Sequence, residues 1–141
     1  MKMPTFVDTS AWLAIKNSRD RNHEAAARVV SGLRTRRELL VTSDYVLDET
    51  YTGLLYDVGY DSAVQFKREV DALVAAGILR VIHISPDLQA EAWQVFERFN
   101  RDKVWSFTDC TSYVVIRRVG TEACFALDAD FVQMGLNVLS Q

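Results

Sequence analysis

The stretch TFVDTSAW (residues 5–12) decides how the chain is read: an apolar run ends on Asp8, and a hydroxyl-bearing, helix-starting segment follows with no intervening loop. "PTFVD" reads as a buried strand, because a short apolar run bounded by turn and polar residues fits a strand covered on both faces. Asp8 then sits at the strand tip and Ser10 at a helix start, where a serine is expected to act as N-cap for a free backbone N–H.

The same alternation continues along the chain. "NHEAAARVVSGL" places Ala26, Val30 and Leu33 on one helical stripe behind Asn22 as N-cap, and "ELLVTS" is a second strand. Ser43 is expected to cap "DYVLDETYTGLLYDVG", with Gly59 as its stop, and Asp61 opens "SAVQFKREVDALVAA", with Gly77 ending it. "ILRVIHI" is a third strand, Ser85 and Pro86 start the helix "SPDLQAEAWQVFERFN", and "TDCTSYVVIRRVG" is another helix. "CFALD", "ADFVQMG" and "NVLS" complete the pattern as strand, short helix and strand. Strands separated by helices rather than tight turns predict an α/β fold with a central, mostly parallel sheet.

With 141 residues and 49% hydrophobic content, the chain suits one domain, residues 1–141, with a substantial core. No apolar run approaches the length of a membrane span, and Met1 leads into a strand-like segment rather than a signal peptide, so a cytoplasmic location is expected. Cys110 and Cys124 lack the spacing of a zinc site and read as buried free thiols. The net charge of −3 argues at first sight against a polyanionic partner.

Ligands of open parallel sheets bind beyond the carboxyl ends of the strands, so acids just past a strand stand out as a group. Asp8 and Asp128 each follow a strand, Asp109 opens a helix beside Thr108, and Glu49 lies within an apolar-patterned helix with Tyr45 and Gly53 one turn away. Each has an ordinary explanation alone, as a cap or a first-turn acid. Together, four converging carboxylates require a compensating cation, and with only two histidines (His23 and His83, neither assigned a catalytic role) the donor set favours a hard ion, Mg²⁺ or Mn²⁺. If these four acids face a metal, the rest of the chain carries +1 and the charge objection weakens. Arg34 to Arg37, Arg101 to Lys103, Arg117 and Arg118 then become candidate phosphate contacts, and Trp105 and Phe107 candidate base-stacking groups.

Four motifs in order, "FVDTSAW", "LDET", "SFTDCTS" and "ALDADF" followed by "GLNVL", resemble the PIN-domain ribonucleases, most closely the VapC-type toxins of toxin–antitoxin pairs. The resemblance implies a PIN-like fold, a metal-dependent ribonuclease, and Asp8, Glu49, Asp109 and Asp128 as catalytic and metal-binding residues. It also implies an RNA substrate, a cognate antitoxin and a homodimer. Ser10 and Thr108 are expected to cap their helices and, in addition, to steady a phosphate oxygen or a water. Asp48 adjoins Glu49, and Asp130 follows Asp128; Asp130 is expected to be a first-turn helix acid whose replacement leaves most activity. A covalent phosphatase would want a second acid where Ser10 stands, and a receiver domain a late strand lysine that the sequence lacks. A housekeeping RNA-processing nuclease or a binding-only PIN module are the remaining alternatives.

Overall fold

The computed structural model describes residues 3–121 and 123–140. Five strands form the frame: β1 (Thr5–Val7), β2 (Leu40–Ser43), β3 (Leu79–Ile82), β4 (Ala123–Phe125) and β5 (Val138–Leu139). The helices are α1 (Thr9–Lys16), α2 (His23–Thr35), α3 (Asp44–Asp57), α4 (Tyr60–Ala75), α5 (Pro86–Phe99), α6 (Phe107–Val119) and α7 (Asp130–Gln133). The strand order is β3-β2-β1-β4-β5, and every pairing is parallel, so the expected sheet is parallel throughout the described residues. β1 is central and wholly buried, with Phe6 and Val7 apolar and the Thr5 hydroxyl donating to Glu38 Oε1 at 3.4 Å.

The order also fixes where a site can form. From β1 the chain builds outward through β2 and β3, then crosses back to place β4 on the other flank of β1. The winding reverses between β1 and β4, and in open α/β sheets the crevice for ligands lies at such a reversal, beyond the strand carboxyl ends. Val7 pairs with Phe125 there, and the Asp8 N–H donates to the Phe125 carbonyl at 3.0 Å.

The core is continuous around Phe6, Phe66, Phe125, Phe131, Leu54 and Val115, all essentially without solvent contact. Full burial of such side chains contributes about 1.5–3 kcal/mol each. Several local signals behave as expected: Ser43 and Ser85 accept the N–H groups of Val46 and Leu88, and Pro86 occupies the first turn of α5. Others do not. α3 ends at Asp57, and Gly59, at φ 137°, is the turn into α4, which opens at Tyr60 rather than Asp61. Asn22 precedes α2 without a side-chain capping bond. Cys110 and Cys124 are buried and free, and burial pushes both thiols upward, Cys110 to about 11, which leaves them inert. His23 Nδ1 lies 2.7 Å from the Ala14 carbonyl, a structural contact between α2 and α1. Among the described residues no helix is long and apolar enough to cross a membrane.

Candidate metal centre

Asp8 leaves β1 at the switch point and is itself the N-cap of α1: its Oδ2 accepts the Ser10 N–H at 3.0 Å. The cap expected at Ser10 therefore belongs to Asp8, since a residue with extended backbone immediately before the helix is the one whose side chain reaches back to the free N–H groups. Ser10 lies inside the first turn, and its hydroxyl donates to the same Oδ2 at 2.7 Å. Asp8 is 3% exposed, and its Oδ1 is buried with no hydrogen-bond partner. Desolvation raises the Asp8 carboxyl to about 6; the Ser10 and Thr9 donors pull it back only in part, and the charge of Asp128 pushes it up again.

The second acid comes from α6. Its N-cap is Ser106, whose hydroxyl oxygen accepts the Asp109 N–H at 3.0 Å. Thr108 is thus not a cap: it is the second residue of the helix, and its carbonyl accepts the Thr111 hydroxyl at 2.6 Å. Capping leaves Asp109 pointing from the first turn into a dry environment, 9% exposed. Burial is the largest cause that raises it to about 8, followed by the charge of Asp8, a hydrogen bond with Asp130, and the charges of Asp128 and Asp130.

Asp128 lies in the loop after β4, and Asp130 opens α7. The Asp130 N–H donates to Asp128 Oδ1 at 2.9 Å, folding the loop so that both carboxyls face the same region. One carboxylate oxygen from each of Asp109, Asp128 and Asp130 falls within 4.8 Å of the others. Asp130 is thus more than a first-turn acid of α7, although it is that too. The sequence contained a signal for it, two acids within "LDADF", but not that both would turn toward Asp109. Glu49 is exposed on α3 and lies outside this group, as do Asp48 and Asp8, although the charge of Asp8 is felt by Asp109.

Among the described residues, no Lys, Arg or His forms an ion pair with Asp8, Asp109, Asp128 or Asp130. Like charges thus meet at one sheet edge with no protein cation, and one buried oxygen has no donor. Oxygen donors of this number and sign suit a hard divalent cation.

The surroundings divide the other candidates. Trp105 is buried, its indole N–H donating to Gln133 Oε1 at 3.1 Å and its backbone held by Asn100, so it belongs to the core. Phe107 is half-buried in an aromatic group with Tyr45, Phe96 and the exposed Trp93. Of the basic residues, Arg36 faces Glu38, Arg118 is bonded twice to Glu91, and Arg117 lies over the Tyr113 ring. Arg34, Arg101 and Lys103 are exposed.

Comparison with known proteins agrees with this fold. The PIN-domain family model matches residues 5–136. The chain is 35% identical over 130 residues to the 23S rRNA-specific endonuclease VapC20 of Mycobacterium tuberculosis, covering 92% of this chain and 93% of that one. A VapC ribonuclease of Archaeoglobus fulgidus is 26% identical over 114 residues, covering 80% of this chain and 70% of its own. The crystal structure of Mycobacterium tuberculosis VapC20, described as a sarcin–ricin-loop-cleaving toxin, superposes with a TM-score of 0.79 at 34% identity, covering 94% and 95% of the two chains. With its parallel sheet, its acids at the β1/β4 switch point and these matches, the chain belongs to the PIN-domain family.

Proposed function

We propose that this protein is a metal-dependent endoribonuclease of VapC type, the toxin of a toxin–antitoxin pair, acting in the cytoplasm on RNA phosphodiester bonds. The observation that carries the reading is the gathering of Asp109, Asp128 and Asp130 beside the buried, half-satisfied Asp8 with no protein cation among them. Asp8, Asp109, Asp128 and Asp130 would hold Mg²⁺ or Mn²⁺, with Glu49 as an outlying contributor that the family resemblance brings in. Such an ion supplies Lewis-acid polarisation of a phosphoryl oxygen and a water of lowered pKa.

The chain's own residues set the conditions for this chemistry. Burial keeps a proton on Asp109 at neutral pH, shared toward Asp130, until positive charge enters the site. Ser106 occupies a free amide of α6 and so holds the first turn rigid beneath Asp109. The Thr9 hydroxyl, 3.4 Å from the Val46 carbonyl, ties the start of α1 to α3 and so fixes the helix that bears Glu49 relative to Asp8. Phe107, half-buried beside the exposed Trp93, is the candidate for base stacking, and the exposed Arg101 and Lys103 are the candidates for phosphate contacts. The 23S rRNA specificity named for the Mycobacterium tuberculosis relative makes ribosomal RNA the first substrate to try. A homodimer and a cognate antitoxin covering the acidic crevice complete the reading.

The test is cleavage of 23S rRNA and of unrelated RNA by purified protein with Mg²⁺ or Mn²⁺, compared with EDTA and with Asp8→Asn and Asp109→Asn. Cleavage confined to metal-loaded, unsubstituted protein is expected. Full cleavage in EDTA, or by either variant, would overturn the reading.

A further inference from the structure

We propose that Ser10 is a positioning residue: its hydroxyl clamps Asp8 to the loop bearing Asp128 and so sets the spacing of acids that would hold a divalent cation. The inference rests on the metal reading above and departs from the expectation that Ser10 contacts substrate. Ser10 Oγ makes two bonds that join segments 117 residues apart: it donates to Asp8 Oδ2 at 2.7 Å and accepts the Leu127 N–H at 2.9 Å. The directions follow from the groups involved. A backbone amide can only donate, so Oγ accepts there; the single hydroxyl proton then finds its acceptor in Asp8 Oδ2. With the Ser10 N–H also on Oδ2 at 3.0 Å, both Ser10 donors fall on that oxygen, while the buried Oδ1 has no hydrogen-bond partner.

The hydroxyl has no second proton, so it has none to offer a phosphate oxygen, and a substrate-binding role would require breaking the bond to Asp8. The clamp also sets the spacing of acids on different segments. Past β4, the Ala126 N–H bonds to the Leu139 carbonyl at 3.2 Å, Leu127 to Ser10, and Asp130 to Asp128 Oδ1. The loop is therefore pinned first to the sheet, then to α1, then to itself, and Ser10 supplies the attachment immediately before Asp128. Outer-shell partners that orient metal ligands in this way are worth about 10–100-fold in metal affinity.

The experiment compares the unsubstituted chain with Ser10→Ala and Ser10→Thr, by Mn²⁺ titration calorimetry and by amide hydrogen exchange of residues 126–130 without metal. Ser10→Ala is expected to speed exchange at Leu127 and to weaken Mn²⁺ binding by about 10–100-fold. Ser10→Thr, which keeps the hydroxyl, restores both. Ser10→Cys, with a poor donor and acceptor of similar size, carries the alanine prediction should that variant not fold. Unchanged Leu127 exchange in the alanine or cysteine variant overturns the clamp, as does unchanged Mn²⁺ affinity or a folded threonine variant that behaves like alanine. An unsubstituted chain that binds no Mn²⁺ overturns instead the metal reading, and the exchange comparison still decides whether Ser10 holds the loop.

Discussion

Asp8→Asn removes the charge from the most buried acid of the site, and the structure gives the consequence a sign and a size. Burial raises the carboxyl from 3.8 in the unfolded chain to about 6 in the folded one. The folded state therefore binds the proton more tightly, and stability is lost as pH climbs from the unfolded value through the folded one. At 1.36 kcal/mol per pKa unit, the loss is about 0.5 kcal/mol at pH 4 and reaches a plateau of about 3 kcal/mol by pH 8. Asparagine keeps an oxygen for the two Ser10 donors and never ionises. Its NH₂ meets the unpartnered Oδ1 position at a cost that does not vary with pH, so the trend, not the offset, is diagnostic. In EDTA, the melting temperature of Asp8→Asn relative to the parent is expected to rise by roughly 7 °C between pH 4 and pH 8, taking about 3 °C per kcal/mol for a chain of this size. Mn²⁺ at pH 8 should then raise the parent's melting temperature and leave that of the variant in place. A difference that stays flat with pH, or one that moves against the variant, refutes the argument that Asp8 is an ionised group held at the expense of stability until a cation arrives.

Other consequences are open to direct measurement. Because Asp109 must lose a proton at about 8 to ligate, Mn²⁺ affinity measured by calorimetry should strengthen by about tenfold per pH unit from pH 6 to pH 8 and level off above it. Asp130→Asn should weaken Mn²⁺ binding and RNA cleavage at least as much as Asp128→Asn, by more than the roughly 10–100-fold of an outer-shell loss; retained cleavage would return Asp130 to a helix-turn role. Glu49→Gln, at an exposed position outside the aspartate group, should lower cleavage less than Asp109→Asn in the same assay. Gly120 closes α6 at φ 73° with its Cβ position 3.0 Å from Met3 Cε, so Gly120→Ala should cost about 1–2 kcal/mol in urea unfolding without altering Mn²⁺ affinity.

The fold was legible because its information is periodic. Most of the strands and helices among the described residues are announced by apolar spacing or by turn and cap residues, and the helical connections leave little choice but parallel pairing. The errors fall where one residue's role depends on a neighbour's backbone. Ser10 and Ser106 show this from opposite sides: both lie in hydroxyl-bearing stretches beside an aspartate, yet Asp8 has taken the extended conformation that makes it the cap, while ahead of Asp109 it is Ser106 that has. Propensity alone ranks serine and aspartate almost equally as caps, so only the strand's end point decides between them.

The site was legible in part for a related reason. Strand-tip acids can be located from sequence because strand ends can, and β1 and β4 deliver Asp8 and the Asp128 loop to one crevice. Whether an acid enters that crevice depends on a turn of one or two residues or on the face of a helix that packing turns outward. Asp130 enters because its own N–H closes a loop on Asp128 Oδ1, a bond that hydrophobic pattern does not encode. Glu49 stays exposed although Val46 and Thr50, on either side of it in α3, are fully buried. A position one residue from a buried stripe lies at its border, where the 3.6-residue period does not separate inside from outside. The acids that sequence located best are thus those whose backbone is held by the sheet. Those it left ambiguous are held by single hydrogen bonds at the sheet's edge, and that is also where loss of one hydroxyl or one carboxylate should be felt most.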